Sequence, residues 1–342
     1  MKLSENTSIS ALTTMRLGGN ARYTVDIETL ADLTEAYEFA RAKNLPTYIL
    51  GGGSNVVGTD ADFNGLVMLN RLTGIEVISE QSDEITLCVG SGEDLDTLVD
   101  YAVQRGWCGI EALAAIPGTV GGAIMQNAGA YGQEIAQVLL GVDVYDTAFA
   151  KFVHLPTADL KLCYRSSIFN SMEAGSAKGR YFITAATLRL HKCEIQGNLY
   201  GSLQAHLSEQ GITDRQPQTI CDAVNTIRAL KLPDSRTTAS SGSFFKNITV
   251  DESQVESLRQ RYPGIPIYMI GNCWEVASGW LVEQAGLKGQ LLNGMRVSEK
   301  AALILINESA RNYDDLAAAR EAIVAAVKEQ FGFTLEQEPE EL

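Results

Sequence analysis

A chain of 342 residues with 45% hydrophobic and 20% charged side chains is long enough for two packing units and too apolar for extended disorder. Its 42 acidic residues outnumber 27 basic ones, for a formal net charge of −15, and no Lys/Arg-rich block occurs, which argues against a nucleic-acid partner. An anionic ligand would have to be held locally, by backbone N–H groups and a few placed cations.

The opening MKLSENTSIS lacks the apolar core of a signal peptide, and no run approaches the ~20 apolar residues of a membrane span. No membrane insertion and a cytoplasmic location are therefore expected. From Thr29 to Asn44, Leu30, Leu33, Tyr37 and Ala40 recur at helical spacing, which predicts a helix. Tyr48-Ile49-Leu50 reads as a buried strand ending in Gly51-Gly52-Gly53, and Gly65 to Asn70 and Ile85 to Gly90 read as strands. Asp94 is a predicted cap for a helix with an apolar face of Leu95, Leu98, Val99, Ala102 and Val103, stopped at Gly106. Further strands are predicted at Val142–Tyr145 and Tyr181–Leu190.

The second half is more helical. Ile220, Ala223, Val224, Ile227 and Leu230 mark one amphipathic helix; Leu316, Ala319, Ile323, Val324 and Val327 mark another, with Asp314 as its expected cap and Gly332 as its stop. Ala302 to Asn307 reads as a strand between them. Strands and helices without strict alternation indicate an α+β fold. The soft boundary falls in the polar stretch from His191 to Gly197. The six cysteines, Cys88, Cys108, Cys163, Cys193, Cys221 and Cys273, form no C-x-x-C pair. They predict buried free thiols and no metal site.

Two loops carry the chemistry. LGGGSNVV (Leu50 to Val57) follows a strand, and its glycines permit a concave run of N–H groups, with Ser54 and Asn55 adding side-chain donors. The spacing is neither a P-loop nor G-x-G-x-x-G opening a helix. AAIPGTVGGAIMQNAGAYG, from Ala114 to Gly132, holds no charge between Glu111 and Glu134. There Gly118, Gly121 and Gly122 remove bulk, Pro117 stiffens the entry, and Gln126 and Asn127 offer neutral amides. Two such loops suit a ligand with a long polyanionic middle, such as a dinucleotide diphosphate.

GGGSN followed by that stretch resembles the flavin-binding half of the UDP-N-acetylenolpyruvoylglucosamine reductase family, also called UDP-N-acetylmuramate dehydrogenase. Leu12 to Gly19 (LTTMRLGG) is similar to its N-terminal segment. The resemblance implies an FAD-binding domain of the vanillyl-alcohol oxidase and p-cresol methylhydroxylase type over 13–192, in lobes of about 13–70 and 71–192. A smaller α+β substrate-binding domain would follow over 200–342. The implied FAD contacts are Gly51, Gly52, Gly53, Ser54, Asn55, Val56, Ile116, Pro117, Gly118, Gly121, Gly122, Gln126, Asn127, Gly129 and Ala130. None of the three histidines, His154, His191 and His206, lies in a glycine loop. FAD is therefore expected to be non-covalent and the histidines to sit at the surface or at strand edges.

CYRSSIF (Cys163 to Phe169) resembles the family's Y-R-x-S-x-F element. Tyr164 becomes a substrate contact there, and Arg165 the catalytic holder of the enolpyruvyl carboxylate, which a guanidinium matches bidentately. SSGSFFKN (Ser240 to Asn247) is similar to the element whose serine, here Ser243, is the general acid. A weak acid suffices against a strongly basic carbon. NLYGSL (Asn198 to Leu203) matches the inserted loop of the longer type I members, with Tyr200 closing over the UDP group. Lys231, Asn247 and Lys288, with Lys246, are further substrate candidates. At the C-terminus, Leu335 and Glu338 fit the family's L-x-x-E pattern, with Glu338 the implied catalytic carboxylate ahead of Glu336. Pro339 and Glu340 stand where the family has Val and Arg.

The resemblance implies a monomeric FAD enzyme. It uses NADPH as co-substrate to reduce UDP-N-acetylglucosamine enolpyruvate to UDP-N-acetylmuramate for peptidoglycan. Two other readings stay open on the sequence: a flavin oxidoreductase of the same fold with a different substrate, and a nucleotide-binding protein without catalysis.

Overall fold

Thr29 begins the first helix, α1 (Leu30–Ala42), through a capping box: its hydroxyl accepts from the Asp32 N–H and the Asp32 carboxylate accepts from the Thr29 N–H. The buried face is Leu33, Ala36 and Ala40, whereas Leu30, at the helix start, is exposed. This computed structural model describes residues 1–172, 176–192, 194–195, 199–270 and 273–342. Cys193, Asn198 and Gly197 of the expected boundary and loop lie outside the described residues.

The chain folds into two units. One comprises Met1–Thr7, Ala21–Gly52 and Phe63–Ala229; the other comprises Ser8–Asn20, Gly53–Asp62 and Leu230–Leu342. In the first unit a four-stranded sheet has the order Leu3–Ser8, Asn20–Ile27, Phe63–Asn70, Thr47–Leu50. Its last three strands run parallel, as the crossover through α1 requires. Val25, Ile27, Leu66 and Met68 bury against Leu33 and Ala36 of α1.

A five-stranded antiparallel sheet has the order Lys151–Pro156, Leu139–Asp146, Tyr181–His191, Glu84–Gly90, Ile75–Glu80. Asp94 caps α2 (Leu95–Val103) by accepting from the Thr97 N–H, and all five expected apolar residues are buried. Thr119 caps the short α3 (Val120–Met125), its hydroxyl accepting from Gly122.

The helices α4 (Gly201–Glu209) and α5 (Pro217–Lys231) follow. In sequence both fall in the more helical second half. Their apolar residues Leu203, Leu207, Ile220, Val224 and Ile227 instead complete the core around α2 and α3 in the first unit. Periodicity shows which face is apolar but not which core receives it.

The second unit holds a three-stranded sheet, Ile248–Val250, Cys273–Val276, Ile267–Ile270, and another, Leu291–Leu292, Met295–Val297, Leu305–Asn307. The predicted strand from Ala302 is shorter than expected, covering Leu305–Asn307; Ile304 makes an isolated bridge with Ser243. α6 (Glu252–Arg261), α7 (Ser278–Gln284) and α8 (Tyr313–Phe331) complete this unit. The cap of α8 is Asn312, whose side chain accepts from Asp315, and Asp314 sits in the first turn; Gly332 ends the helix at φ 79°. Phe244, Phe245, Leu281, Leu316 and Ile323 share one core.

Of the described cysteines, Cys108 and Cys221 are buried as expected, and burial pushes the Cys221 thiol up to about 12. Cys163 and Cys273 are exposed, because each sits in a turn or at a strand start rather than on an inward face. No helix among the described residues is long and apolar enough to cross a membrane.

One ion pair sets an acid limb for stability. Arg180 donates to both oxygens of the buried Asp146, at 3.0 and 2.7 Å, and Ala148 N–H adds a third bond. The Arg180 hydrogen bond holds the Asp146 carboxyl below its ordinary value of 3.8. A depressed carboxyl stabilises the fold above its unfolded pKa and loses that contribution as pH falls through the folded value. Asp146→Asn is expected to be less stable than wild type at pH 7 in urea melts, with the gap closing as pH falls below 3.8; a gap constant with pH would refute it.

Candidate functional site

The uncharged stretch is held in a strained conformation by its surroundings. Ala115 has φ 56°, Asn127 φ 44° and Tyr131 φ 49°, and Arg165 has φ 50°. Non-glycine residues adopt this region rarely and at a cost, so such a group marks a locally over-determined segment. Ala115 is clamped on both sides: Asp96 accepts from its N–H at 2.6 Å, and Arg228 donates to its carbonyl at 3.1 Å. Asn127 is 1% exposed. Its amide donates to Glu134 at 3.0 Å and to the Cys163 carbonyl at 3.2 Å, and it accepts from Ala136 N–H at 3.2 Å. Asn127 thus ties the glycine stretch to the turn that carries Tyr164 and Arg165.

The glycines divide by what a side chain would meet. A Cβ on Gly51 would lie 2.5 Å from the Thr119 hydroxyl, and one on Gly52 would lie 2.8 Å from Gly118 Cα. One on Gly121 would lie 3.0 Å from the Ser91 carbonyl. Gly52 and Gly121 thus let backbone pack on backbone, and Gly51 makes room for the Thr119 side chain. Gly118, at φ 123°, serves the turn itself. Gly122 differs: its added Cβ would meet only the Thr119 hydroxyl, at 3.4 Å, and the residue is exposed. Gly52 is exposed as well. Bare, uncharged backbone therefore lines this part of the first unit, which fits a ligand that lies against main chain, as FAD would.

Arg165 donates to the Gly129 carbonyl at 3.3 Å and stands 5.0 Å from the Tyr164 ring centroid. Gly129 and Ala130 pair with Gln133 and Glu134 in a small hairpin. Tyr200, at the N-terminus of α4, meets Tyr131 edge-on at 6.1 Å between centroids. The inserted loop and the glycine stretch are thereby joined. Ile116 is partly buried against the core, and Pro117 is exposed.

Arg228 was not singled out by sequence reasoning. Burial holds its guanidinium below the ordinary arginine value, and its Nε has no hydrogen-bond partner. A lone arginine on a helix face carries no signal in sequence; its distinction comes from the fold around it.

In the second unit, the C-terminal segment pairs with SSGSFFKN. Glu338 N–H donates to the Phe244 carbonyl at 2.9 Å, Lys246 N–H donates to Glu336 at 2.9 Å, and Phe245 bridges Gln337. This register sets Glu338 opposite Phe244, the neighbour of Ser243, and Glu336 opposite Lys246, with which it forms an ion pair. Beyond it, Glu340–Glu341 pair in parallel with Val56–Val57, and Glu340 N–H donates to the Asn55 carbonyl at 3.0 Å. Asn55 in turn donates to the Glu338 carbonyl at 3.4 Å. Arg320 fixes the tail from the side, donating to Gln337 at 2.8 Å and Glu341 at 3.0 Å. Ser243 and Glu338 are both partly exposed.

The other candidates vary. Asn247 donates to the buried Glu275 at 3.2 Å and accepts from Ser278 N–H at 3.2 Å. Lys288 pairs with Glu283 at 2.9 Å. Lys231 is exposed at the end of α5.

A family model described as an FAD binding domain matches residues 21–155. One described as the UDP-N-acetylenolpyruvoylglucosamine reductase C-terminal domain matches residues 234–342. A UDP-N-acetylenolpyruvoylglucosamine reductase of Alcanivorax borkumensis is 34% identical over 335 residues, covering 98% of this chain and 95% of the relative. One of Dechloromonas aromatica is 35% identical over 340 residues, covering 99% of each. In fold, the chain is similar to the solved structure of the Thermus caldophilus enzyme, with a TM-score of 0.67 and 24% identity over 100% of this chain and 99% of that one. With both family models in order and identity running nearly end to end, the chain belongs to the UDP-N-acetylenolpyruvoylglucosamine reductase family.

Proposed function

We propose that this protein reduces UDP-N-acetylglucosamine enolpyruvate to UDP-N-acetylmuramate, with NADPH as reductant and non-covalent FAD, in peptidoglycan synthesis. The observation that carries this reading is 34% and 35% identity, over 98% and 99% of the chain, with relatives of that name. The pairing of the Glu338 segment with Phe244 to Lys246, which follow Ser243, adds support. The net reaction adds a hydride from NADPH and a proton across the enol-ether double bond, giving NADP⁺ and the lactyl ether. When bound, FAD supplies the hydride-carrying chemistry between the two substrates.

The residues do the rest. Gly51, Gly52, Gly118, Gly121 and Gly122 give the cofactor a side-chain-free backbone, and Gly53, Ser54 and Asn55 supply donors. Arg165 holds the substrate carboxylate, where its fixed charge favours the negative charge that develops as the double bond is reduced. Ser243 gives its hydroxyl proton to the carbon next to the carboxylate, and Glu338 stabilises that transfer. Tyr200, braced on Tyr131, covers the nucleotide, while Tyr164, Lys231, Lys246, Asn247 and Lys288 contact the substrate. Residues 13–192 form the cofactor domain, which also lends Tyr164 and Arg165 to the substrate, 200–342 form the domain that holds most of the substrate, and the enzyme works as a cytoplasmic monomer.

Purified protein is expected to be yellow and to oxidise NADPH only when UDP-N-acetylglucosamine enolpyruvate is present. Colourless protein that refuses added FAD, or oxidation indifferent to that substrate, would overturn the reading.

A further inference from the structure

Two buried hydroxyls in the second unit have no protein partner: Thr13 Oγ1 and Ser241 Oγ, on residues 5% and 6% exposed. A buried polar group left unpaired costs about 1–3 kcal/mol, so two in one place call for a missing acceptor or donor. They belong to one neighbourhood. Ser240 N–H donates to the Thr14 carbonyl at 3.0 Å, and Thr14 N–H donates to the Gly53 carbonyl at 3.0 Å. A Cβ on Gly53 would lie 2.0 Å from the Leu12 carbonyl and 3.1 Å from Thr13 Cα, so the Leu12-Thr13 backbone packs directly on the bend. Gly53 itself turns at φ 65°.

The nearby polar groups are already engaged. Thr14 donates its hydroxyl to the Ser54 carbonyl, and Ser240 accepts from Gly242 N–H. Those bonds leave the Thr13 and Ser241 hydroxyls as donors beside the bend at Gly53. A group that only accepts, and does so at several oxygens, completes such a set.

We infer that Thr13 and Ser241 donate hydrogen bonds to the diphosphate of the cofactor, beside Gly53. The inference rests on the reading of the protein as an FAD enzyme. It extends the cofactor grip to two residues outside the segment 21–155 that matches the FAD binding domain. The ligand chemistry is that of a nucleoside diphosphate, and the isoalloxazine ring takes no part.

The test uses full-length apoprotein, titrated with FAD by flavin fluorescence and with ADP and riboflavin as partial probes. Thr13→Val and Ser241→Ala are each expected to weaken FAD and ADP by about tenfold, the loss of one hydrogen bond to a charged acceptor. Riboflavin binding is expected to be unchanged. Thr13→Ser, which keeps the hydroxyl, should stay within roughly twofold of wild type on the same grounds. The melting temperature of each apoprotein should hold or rise, because an unpaired polar group has been removed, whereas a purely structural hydroxyl would lower it. Unchanged FAD and ADP affinity in both variants, with wild type binding FAD, overturns this inference alone. Wild-type apoprotein that fails to bind FAD overturns the functional reading and this inference with it.

Discussion

Gly122→Val yields a folded protein whose affinity for FAD is lower by on the order of a hundredfold. The size follows from overpacking, which costs about 1–3 kcal/mol where the added atoms find no room, and from 1.4 kcal/mol per tenfold in affinity. In the protein alone there is room: the added Cβ meets only the Thr119 hydroxyl at 3.4 Å, and Gly122 is exposed in α3. Valine is also a better helix former than glycine. The apoprotein should therefore melt no lower than wild type, and only the liganded state should suffer. Gly52→Ala is the control with the opposite outcome. Its methyl would lie 2.8 Å from Gly118 Cα, backbone that has no way to turn aside, so stability should fall by about 1–3 kcal/mol with or without FAD. Calorimetry and flavin titration on the two variants separate the roles. A Gly122→Val protein that binds FAD as wild type does would remove this backbone from the cofactor site.

Ser243→Ala lowers turnover by about 10²–10⁴, the range for loss of a positioned proton donor. FAD content and the rate at which NADPH bleaches the flavin should be unchanged, because neither needs a proton delivered to the substrate carbon. Stopped-flow measurement of the two halves is the direct check. Equal loss in both would contradict the donor role and assign Ser243 to local structure, where it bridges Ile304. Phe244 and Phe245, both 1% exposed or less, fix the backbone on the far side of the serine. The alanine variant should keep that anchor and melt like wild type.

Much of the helix placement was legible because its signals are local. Asp94 with Thr97 in the first unit and Gly332 after α8 in the second each depend on neighbours within four residues. The misplaced cap shows the limit of such reasoning. Asp314 and Asn312 are both acceptable caps by type, and the choice followed from where the chain enters α8. There Asp60, from a distant segment, accepts from Tyr313 N–H at 2.7 Å. The strand predicted from Ala302 starts late for a related reason: it runs over Leu305–Asn307, while Ile304, apolar enough for a strand, makes an isolated bridge to Ser243 instead.

The acidic tail shows the same contrast at the site. In sequence, TLEQEPEEL offers two glutamates and departs from the family pattern at Pro339 and Glu340. The fold separates the two glutamates by register: Glu336 pairs with Lys246, whereas Glu338 is bonded on both sides by Phe244 and Asn55. Arg320, 17 residues earlier than Gln337, clamps the segment. That partner is invisible to any reading confined to the tail.

The residue types alone determined that this chain is an acidic α+β protein with two charge-free glycine bends, since turn propensity, periodicity and charge are properties of short windows. Only the tertiary structure decided which glycines pack on backbone and which leave space, which carboxylate lies opposite the residue after Ser243, and that the hydroxyls of Thr13 and Ser241 and the Nε of Arg228 are buried without a partner. Those are distances between segments far apart in the chain, fixed by which cores the apolar faces find, and no single window of sequence contains them.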